Sequence, residues 1–117
     1  MLVVDAARLF AMRLIWQWTG FAPSGNSLIA ALDSEEETLR TLAGMFLVQT
    51  GRRSRVLVEE ALKRGRTPLI LIPILGDIGD ARSLDALEPY TNDSDPLIAR
   101  TARDAVEVLL LAAQKNP

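Results

Sequence analysis

The 117-residue sequence contains no cysteine and no histidine. Disulfide bonds, thiolate or imidazole metal ligands, cysteine nucleophiles and Ser-His-Asp triads are therefore excluded. Aromatic residues are also few: two tryptophans, one tyrosine and three phenylalanines. Because the chemistry that depends on cysteine and histidine is missing, we expect a non-enzymatic protein with no catalytic residue, no metal ligand and no cofactor.

Neither sign of charge dominates, since 13 basic side chains face 15 acidic ones and 49% of the residues are apolar. Such a composition is typical of a globular protein, and the length suits a single domain over residues 1–117. A long apolar run is also missing, because Asp5, Arg8 and Arg13 interrupt the apolar N-terminal segment. We therefore expect no signal peptide, no membrane-spanning helix and a cytoplasmic location.

Apolar residues recur at helical spacing along nearly the whole chain. A capping box at Ser34 and Glu37 predicts a helix start, and Gly51 predicts the end of that helix. The segment after Thr67-Pro68 has the composition of a buried strand, but Pro73 favours a kinked or shortened helix. The predicted helices cover about 2–18, 27–32, 34–50, 54–64, a segment from 67, 81–90 and 96–113, with a break over 19–26.

Two segments, 33–45 and 93–105, align without gaps at an offset of 60 residues. Asp-Ser begins both segments, and Arg40-Thr in the first matches Arg100-Thr in the second. Gly51-Arg-Arg-Ser and Gly79-Asp-Ala-Arg are a second related pair, 28 residues apart. A period of about 30 residues is typical of helical solenoids, in which each helix pair buries its apolar face against its neighbours.

The stretch Leu75-Gly-Asp-Ile-Gly-Asp-Ala-Arg-Ser-Leu-Asp-Ala-Leu, with Asp93-Ser-Asp-Pro and Ala99-Arg-Thr-Ala-Arg-Asp-Ala after it, resembles a HEAT-like repeat. It is similar to the short type first described in phycobilisome lyases and common in bacterial proteins. The match covers about 74–110, and 27–51 more loosely. The family often places an arginine where this chain has Ala99.

The resemblance implies an all-α fold, namely a short right-handed α-solenoid of about two to three HEAT-like helix pairs over 27–113. An extra N-terminal helix over 1–18 would cap the stack or dock a partner. The implied function is a protein–protein interaction or scaffold module. The alternatives are a membrane-peripheral adaptor that uses the N-terminal helix and an accessory protein related to bilin lyases.

Aromatic residues concentrate in the N-terminal helix and just after it. Trp16 and Trp18 lie about 200° apart on a helix, so we expect one of them to be exposed. Tryptophan is a common anchor at interfaces. The expected partner is another protein or a second copy of the chain, with a membrane surface as the alternative. The candidate partner-binding residues are Trp16, Trp18, Phe21, Arg40, Arg100 and Arg103.

Two aspartate pairs invite a catalytic or metal-binding interpretation. Asp77 and Asp80 flank a glycine-rich turn, and Asp93 and Asp95 resemble the start of a calcium loop that lacks the required glycine and glutamate. We therefore expect turns and helix caps. The basic stretch over 52–66 could contact phosphates, but its two clusters lie roughly 15 Å apart with no aromatic between them. Nucleic acid is therefore not the expected partner.

Overall fold

The computed structural model describes residues 2–115, apart from the side chain of Ala22. All regular structure in this range is helical, which confirms the all-α prediction. Met1 and residues 116 and 117 of the predicted domain lie outside the described residues. The helices are α1 (Leu2–Thr19), α2 (Ala22–Ala31), α3 (Glu37–Gln49), α4 (Gly51–Lys63), α5 (Pro68–Ile78), α6 (Leu84–Leu87) and α7 (Pro96–Lys115), with 3-10 turns at Ala81–Ser83 and Glu88–Tyr90.

The chain divides into two compact units, the first ending at Leu57 and the second beginning at Val58. In the first unit, α1, α2 and α3 pack against one another in pairs. The apolar stripe predicted for α3 is buried there, because residues spaced by three and four positions share one helix face. Buried side chains from the three helices form this core: Leu9, Trp16, Leu28, Ile29, Leu32, Leu39, Ala43, Phe46 and Leu47.

The expected break over 19–26 is confined to Gly20 and Phe21, and α2 begins at Ala22. Proline in the first turn of a helix is favourable because its missing N–H has no partner there in any case. Gly25 is a packing glycine, since a Cβ at this position would lie 2.7 Å from Leu57 and 2.9 Å from the indole of Trp16. The sequence pattern of glycine and proline therefore marks a helix start followed by a close contact.

The junctions around α3 also differ from the prediction. The capping box does not form, because α3 begins at Glu37 and Ser34 instead accepts a hydrogen bond from the backbone N–H of Glu36, at 3.1 Å. Gly51 does not end α3. The helix ends at Gln49, and Gly51 is the first residue of α4 after the single residue Thr50. A one-residue junction therefore separates two 13-residue helices.

In the second unit, α5, α6 and both 3-10 turns pack against α7. The segment after Thr67 is a helix, as predicted, and it continues through Pro73 to Ile78. Gly79 ends it with φ of 74°, a left-handed conformation that glycine adopts without strain. The predicted helix over 81–90 is present only as one α-turn between the two 3-10 turns. The core is formed by Leu71, Ile72, Leu75, Leu87, Ala99, Ala102, Ala105 and Leu109.

Three of the four singled-out aspartates hold turns together. Asp80 accepts a hydrogen bond from the backbone N–H of Arg82 at 2.9 Å, and the Arg82 guanidinium donates to the same carboxylate at 2.7 Å. This hydrogen bond and the negative charge of Asp80 raise the pKa of Arg82 above its ordinary value. Asp93 accepts from the N–H of Asp95, which in turn accepts from the first turn of α7. Asp77 is exposed, and the described residues contain no group of three or more potential metal ligands.

The two copies of the internal repeat have equivalent turns but different helix registers. The helices that follow the turns begin at positions 37 and 96, an offset of 59 residues. Three buried positions agree with this offset, namely Ala43 with Ala102, Phe46 with Ala105, and Thr50 with Leu109, whereas buried Leu39 and Leu47 match the half-buried Ile98 and Val106. In this register Arg40 is level with Ala99. The sequence offset of 60 therefore places Arg40 and Arg100 at unequal positions in their helices.

Candidate functional site

Helix α1 has two apolar faces, and only one of them is covered. Leu9 and Trp16 lie on the covered face, in the core of the first unit. The opposite face spans about 140° at about 100° per residue. We call it the α1 outer face, and it consists of Val3, Val4, Ala7, Phe10, Ala11, Leu14, Ile15 and Trp18. Seven of these eight residues are exposed, Leu14 is half-buried, and none carries a charge.

The covered face is held by a short chain of buried hydrogen bonds. The indole N–H of Trp16 donates to Ser54 Oγ at 2.9 Å, and the hydroxyls of Ser54 and Thr50 are 2.6 Å apart. Thr50 Oγ1 donates to the carbonyl of Phe46 at 2.8 Å, so the Ser54 hydroxyl is the donor to Thr50. Because Trp16 is fixed in this way, α1 presents its opposite face outward.

An aromatic and arginine cluster borders the α1 outer face. The rings of Phe10 and Phe46 meet edge to face, with centroids 6.1 Å apart. The guanidinium carbon of Arg13 lies 5.8 Å from the first centroid and 5.7 Å from the second. Its Nε is buried and has no hydrogen-bond acceptor in the described part of the chain. The two rings therefore hold the guanidinium of half-buried Arg13, whereas Asp5 and Arg8 are the exposed charged residues of α1.

The area of the α1 outer face exceeds that of an ordinary surface patch. Val3 is 80% exposed, Val4 68%, Phe10 51% and Trp18 77%. With about 200 Å² for each large apolar side chain, these four residues present about 550 Å². Ile15, which is 38% exposed, and the exposed Ala7 and Ala11 bring the face to the order of 700 Å². The largest apolar patch of a typical monomer is about 300–600 Å², whereas each partner in a standard protein–protein interface buries about 800 Å². The face therefore has the size of one side of an interface.

The six predicted partner-binding residues are in different environments. Trp18 and Phe21 are exposed, so the prediction that one of the two tryptophans is exposed is confirmed for Trp18. Trp16 is only 6% exposed, and its indole N–H is already bonded inside the first unit, so it is a core residue. The remaining outer-face residues could have been identified from the sequence. Apolar side chains recur at steps of three and four on the side of α1 opposite Leu9.

The three candidate arginines do not form one site. Arg40 is half-buried and donates to the carbonyl of Ser34 at 2.7 Å, which holds the turn before α3. Arg100 and Arg103 are exposed on α7 in the second unit. Arg103 Nε donates to the carbonyl of Thr91 at 3.0 Å. Arg100 is therefore the one candidate arginine with no structural hydrogen bond in the described residues.

A groove of about 290 Å³ lies in the first unit between α1, α2 and the turn before α3. Most of its lining is small or apolar, and Asp5 and Arg8 are its charged members. Small-molecule sites usually enclose about 300–1,000 Å³ and bury most of the ligand. The volume lies at the bottom of that range, and one exposed carboxylate beside one exposed guanidinium is a common surface arrangement. The groove therefore does not indicate a ligand site.

Comparisons with known proteins do not indicate a function for this chain. The chain matches no protein-family model, no curated protein and no solved structure. Within residues 2–115, no helix has both the length and the apolar character needed to cross a membrane. The α1 outer face is thus the feature of the described chain that most strongly indicates a function.

Proposed function

We propose that this chain is a non-catalytic protein–protein interaction or scaffold module that docks its partner on the α1 outer face. The observation that carries the proposal is the uncharged apolar surface on the order of 700 Å² opposite the buried side of α1. Water around such a surface is displaced favourably when another apolar surface covers it. Trp18 lies at one end of the face, and tryptophan often contributes most to binding energy.

The internal repeat supports a solenoid as the framework of the module. Helices α2 and α3 form one helix–turn–helix pair, and the short helical segment over 81–90 forms a second pair with α7. An aspartate-serine sequence introduces the second helix of each pair, and within those helices Ala43 and Phe46 match the buried Ala102 and Ala105 at an offset of 59. We propose that these pairs are HEAT-like units of a short right-handed α-solenoid, to which α1 is added as the docking helix.

A membrane surface is a less suitable partner for the same face. Helices that lie on membranes combine an apolar face with a polar face rich in lysine and arginine. In α1 the side opposite the outer face packs into the core, and the guanidinium of Arg13 lies over two phenyl rings. Asp5 offsets the charge of Arg8. The helix contains two arginines and one aspartate, a net charge of +1, which is weak attraction for anionic lipid headgroups.

Affinity capture from a lysate of the source organism tests the proposal, with the chain itself, Trp18→Glu and Met45→Glu as baits. Met45 is the control because it is an apolar residue of α3 with 49% exposure that does not belong to the α1 outer face. We expect the unmodified and Met45→Glu baits to retain the same protein, and Trp18→Glu to lose at least about tenfold of it. Circular dichroism of all three baits verifies that they are equally folded.

Two results would overturn the proposal. If the three baits retained the same proteins in equal amounts, the α1 outer face would not be the docking surface. If the chain instead floated with anionic lipid vesicles at low salt, and Trp18→Glu did not, the face would bind membranes. Flotation is measured on the same three proteins, so both results come from one set of samples.

A further inference from the structure

We infer that the partner of the α1 outer face is a second copy of this chain, which pairs with it in antiparallel orientation about a two-fold axis. The inference rests on the proposed function and names the occupant of the same surface. In a two-fold interface both copies use the same patch. When the two helices are antiparallel, the side chains at one end of the patch pack against those at the other end of the second copy, so the two ends must fit each other. The α1 outer face has this property.

The sizes of its side chains are self-complementary. Suppose that Phe10 of one copy faces Ala11 of the second copy. In an antiparallel pair the two residue numbers of every facing pair then add up to 21. Three pairs within the face then join a larger side chain to a smaller one, which is the arrangement that fills space between helices. These pairs are Trp18 with Val3, Leu14 with Ala7, and Phe10 with Ala11. Val4 and Ile15 face Gln17 and Ala6, which lie beside the α1 outer face.

A parallel arrangement lacks this fit. Each residue would face its own copy, so Trp18 would oppose Trp18 and Phe10 would oppose Phe10. Pairs of alanines at positions 7 and 11 would leave gaps between these bulky contacts. Close packing disfavours both the crowding and the gaps. The order of residues on the face therefore selects the antiparallel pair.

The area of the face is sufficient for a stable dimer. Each copy presents on the order of 700 Å², so the pair buries up to about 1,400 Å², within the range of about 1,200–2,000 Å² for specific interfaces. No charged side chain belongs to the face, so pairing removes no ionised group of the face from water. Trp18, 77% exposed in the single chain, becomes covered at each end of the interface.

The lack of native cysteine permits a direct test of the register by single-cysteine variants. A disulfide needs Cα atoms within about 7 Å. In the antiparallel pair Ala11 lies next to its own counterpart, whereas Val3 and its counterpart are about 22 Å apart along the helix axis. We therefore expect Ala11→Cys to form a cross-linked dimer under mild oxidation and Val3→Cys alone to form none. A mixture of Val3→Cys and Trp18→Cys should cross-link between the two variants.

Sedimentation of the unmodified full chain measures the association itself. We expect a mass twice 12.8 kDa at a protein concentration of about 0.1 mM, and a single-chain mass for Trp18→Glu. Met45→Glu should sediment as the unmodified chain does. Efficient self-cross-linking of Val3→Cys would overturn the antiparallel register in favour of a parallel pair.

The outcomes separate this inference from the proposed function. A single-chain mass at about 0.1 mM, together with Trp18-dependent retention of a different protein, overturns the self-pairing and leaves the interaction module standing. A single-chain mass with no Trp18-dependent retention overturns both. A dimer that Trp18→Glu does not dissociate places the contact elsewhere on the chain, and so overturns the inference as well.

Discussion

Replacing Ser54 by alanine should destabilise the first unit by stranding the indole N–H of Trp16. In the folded chain this N–H donates to Ser54 Oγ at 2.9 Å, and Ser54 in turn donates to Thr50. Ser54 has no exposed surface, and Trp16 is only 6% exposed, so water does not replace the lost oxygen. The substitution therefore leaves a buried donor without an acceptor, whereas the bond from Thr50 to the Phe46 carbonyl remains.

The expected cost follows from this arrangement. A buried polar group left without its partner costs about 1–3 kcal/mol, and an ordinary hydrogen bond contributes only about 0.5–1.5 kcal/mol net. If Trp16 is first replaced by phenylalanine, no indole N–H remains to be stranded. Ser54→Ala should then cost about 1 kcal/mol less than it does in the unmodified chain.

Urea unfolding followed by circular dichroism measures all four chains of this double-mutant cycle. Thr38→Ala is the control, because Thr38 is an exposed hydroxyl residue of α3 and should change the free energy of unfolding by less than about 0.5 kcal/mol. An equal cost of Ser54→Ala with and without the indole would refute the reasoning, since the bond would then contribute nothing specific to stability.

Two further contrasts test the packing and the turns. Gly25→Ala should destabilise by about 1–3 kcal/mol, because the new methyl group would lie 2.9 Å from the indole of Trp16. Gly76→Ala meets its nearest neighbour at 3.4 Å and should be neutral or stabilise by up to about 1 kcal/mol through helix propensity. Asp80→Ala should cost about 1 kcal/mol through the lost cap, and Arg82→Ala less, since its ion pair with Asp80 is largely exposed. Thermal unfolding ranks all four variants, and a reversed order within either contrast would contradict the corresponding explanation.

Helix geometry explains why some features of the candidate site could be predicted from the sequence. Two residues separated by two positions lie about 200° apart around a helix axis. Trp16 and Trp18 therefore had to point to opposite sides of α1. Which one is buried depends on Ser54, a partner 38 residues away that no local pattern reveals. Likewise, apolar periodicity identifies a face but does not tell whether a neighbour covers it. The size of the α1 outer face therefore required the structure.

The glycines show the limit of local patterns most clearly. Gly79 has a left-handed φ of 74° and ends α5, as a glycine after an apolar helix predicts. Gly25 has a different role, because the absence of a Cβ permits α2 to approach Trp16. Gly51 begins a helix where the pattern predicted an end. The role of Gly25 could not be predicted locally, because the side chains that it approaches, Trp16 and Leu57, lie on other helices.

The bond between Trp16 and Ser54 has a consequence for biosynthesis. Ribosomes add about 5–20 residues per second, so Ser54 is made roughly 2–8 seconds after Trp16. During that interval the indole N–H of Trp16 lacks the Ser54 hydroxyl that receives it in the folded chain. The buried hydrogen bond that fixes the covered face of α1 therefore forms only after Ser54, near the start of α4, has left the ribosome.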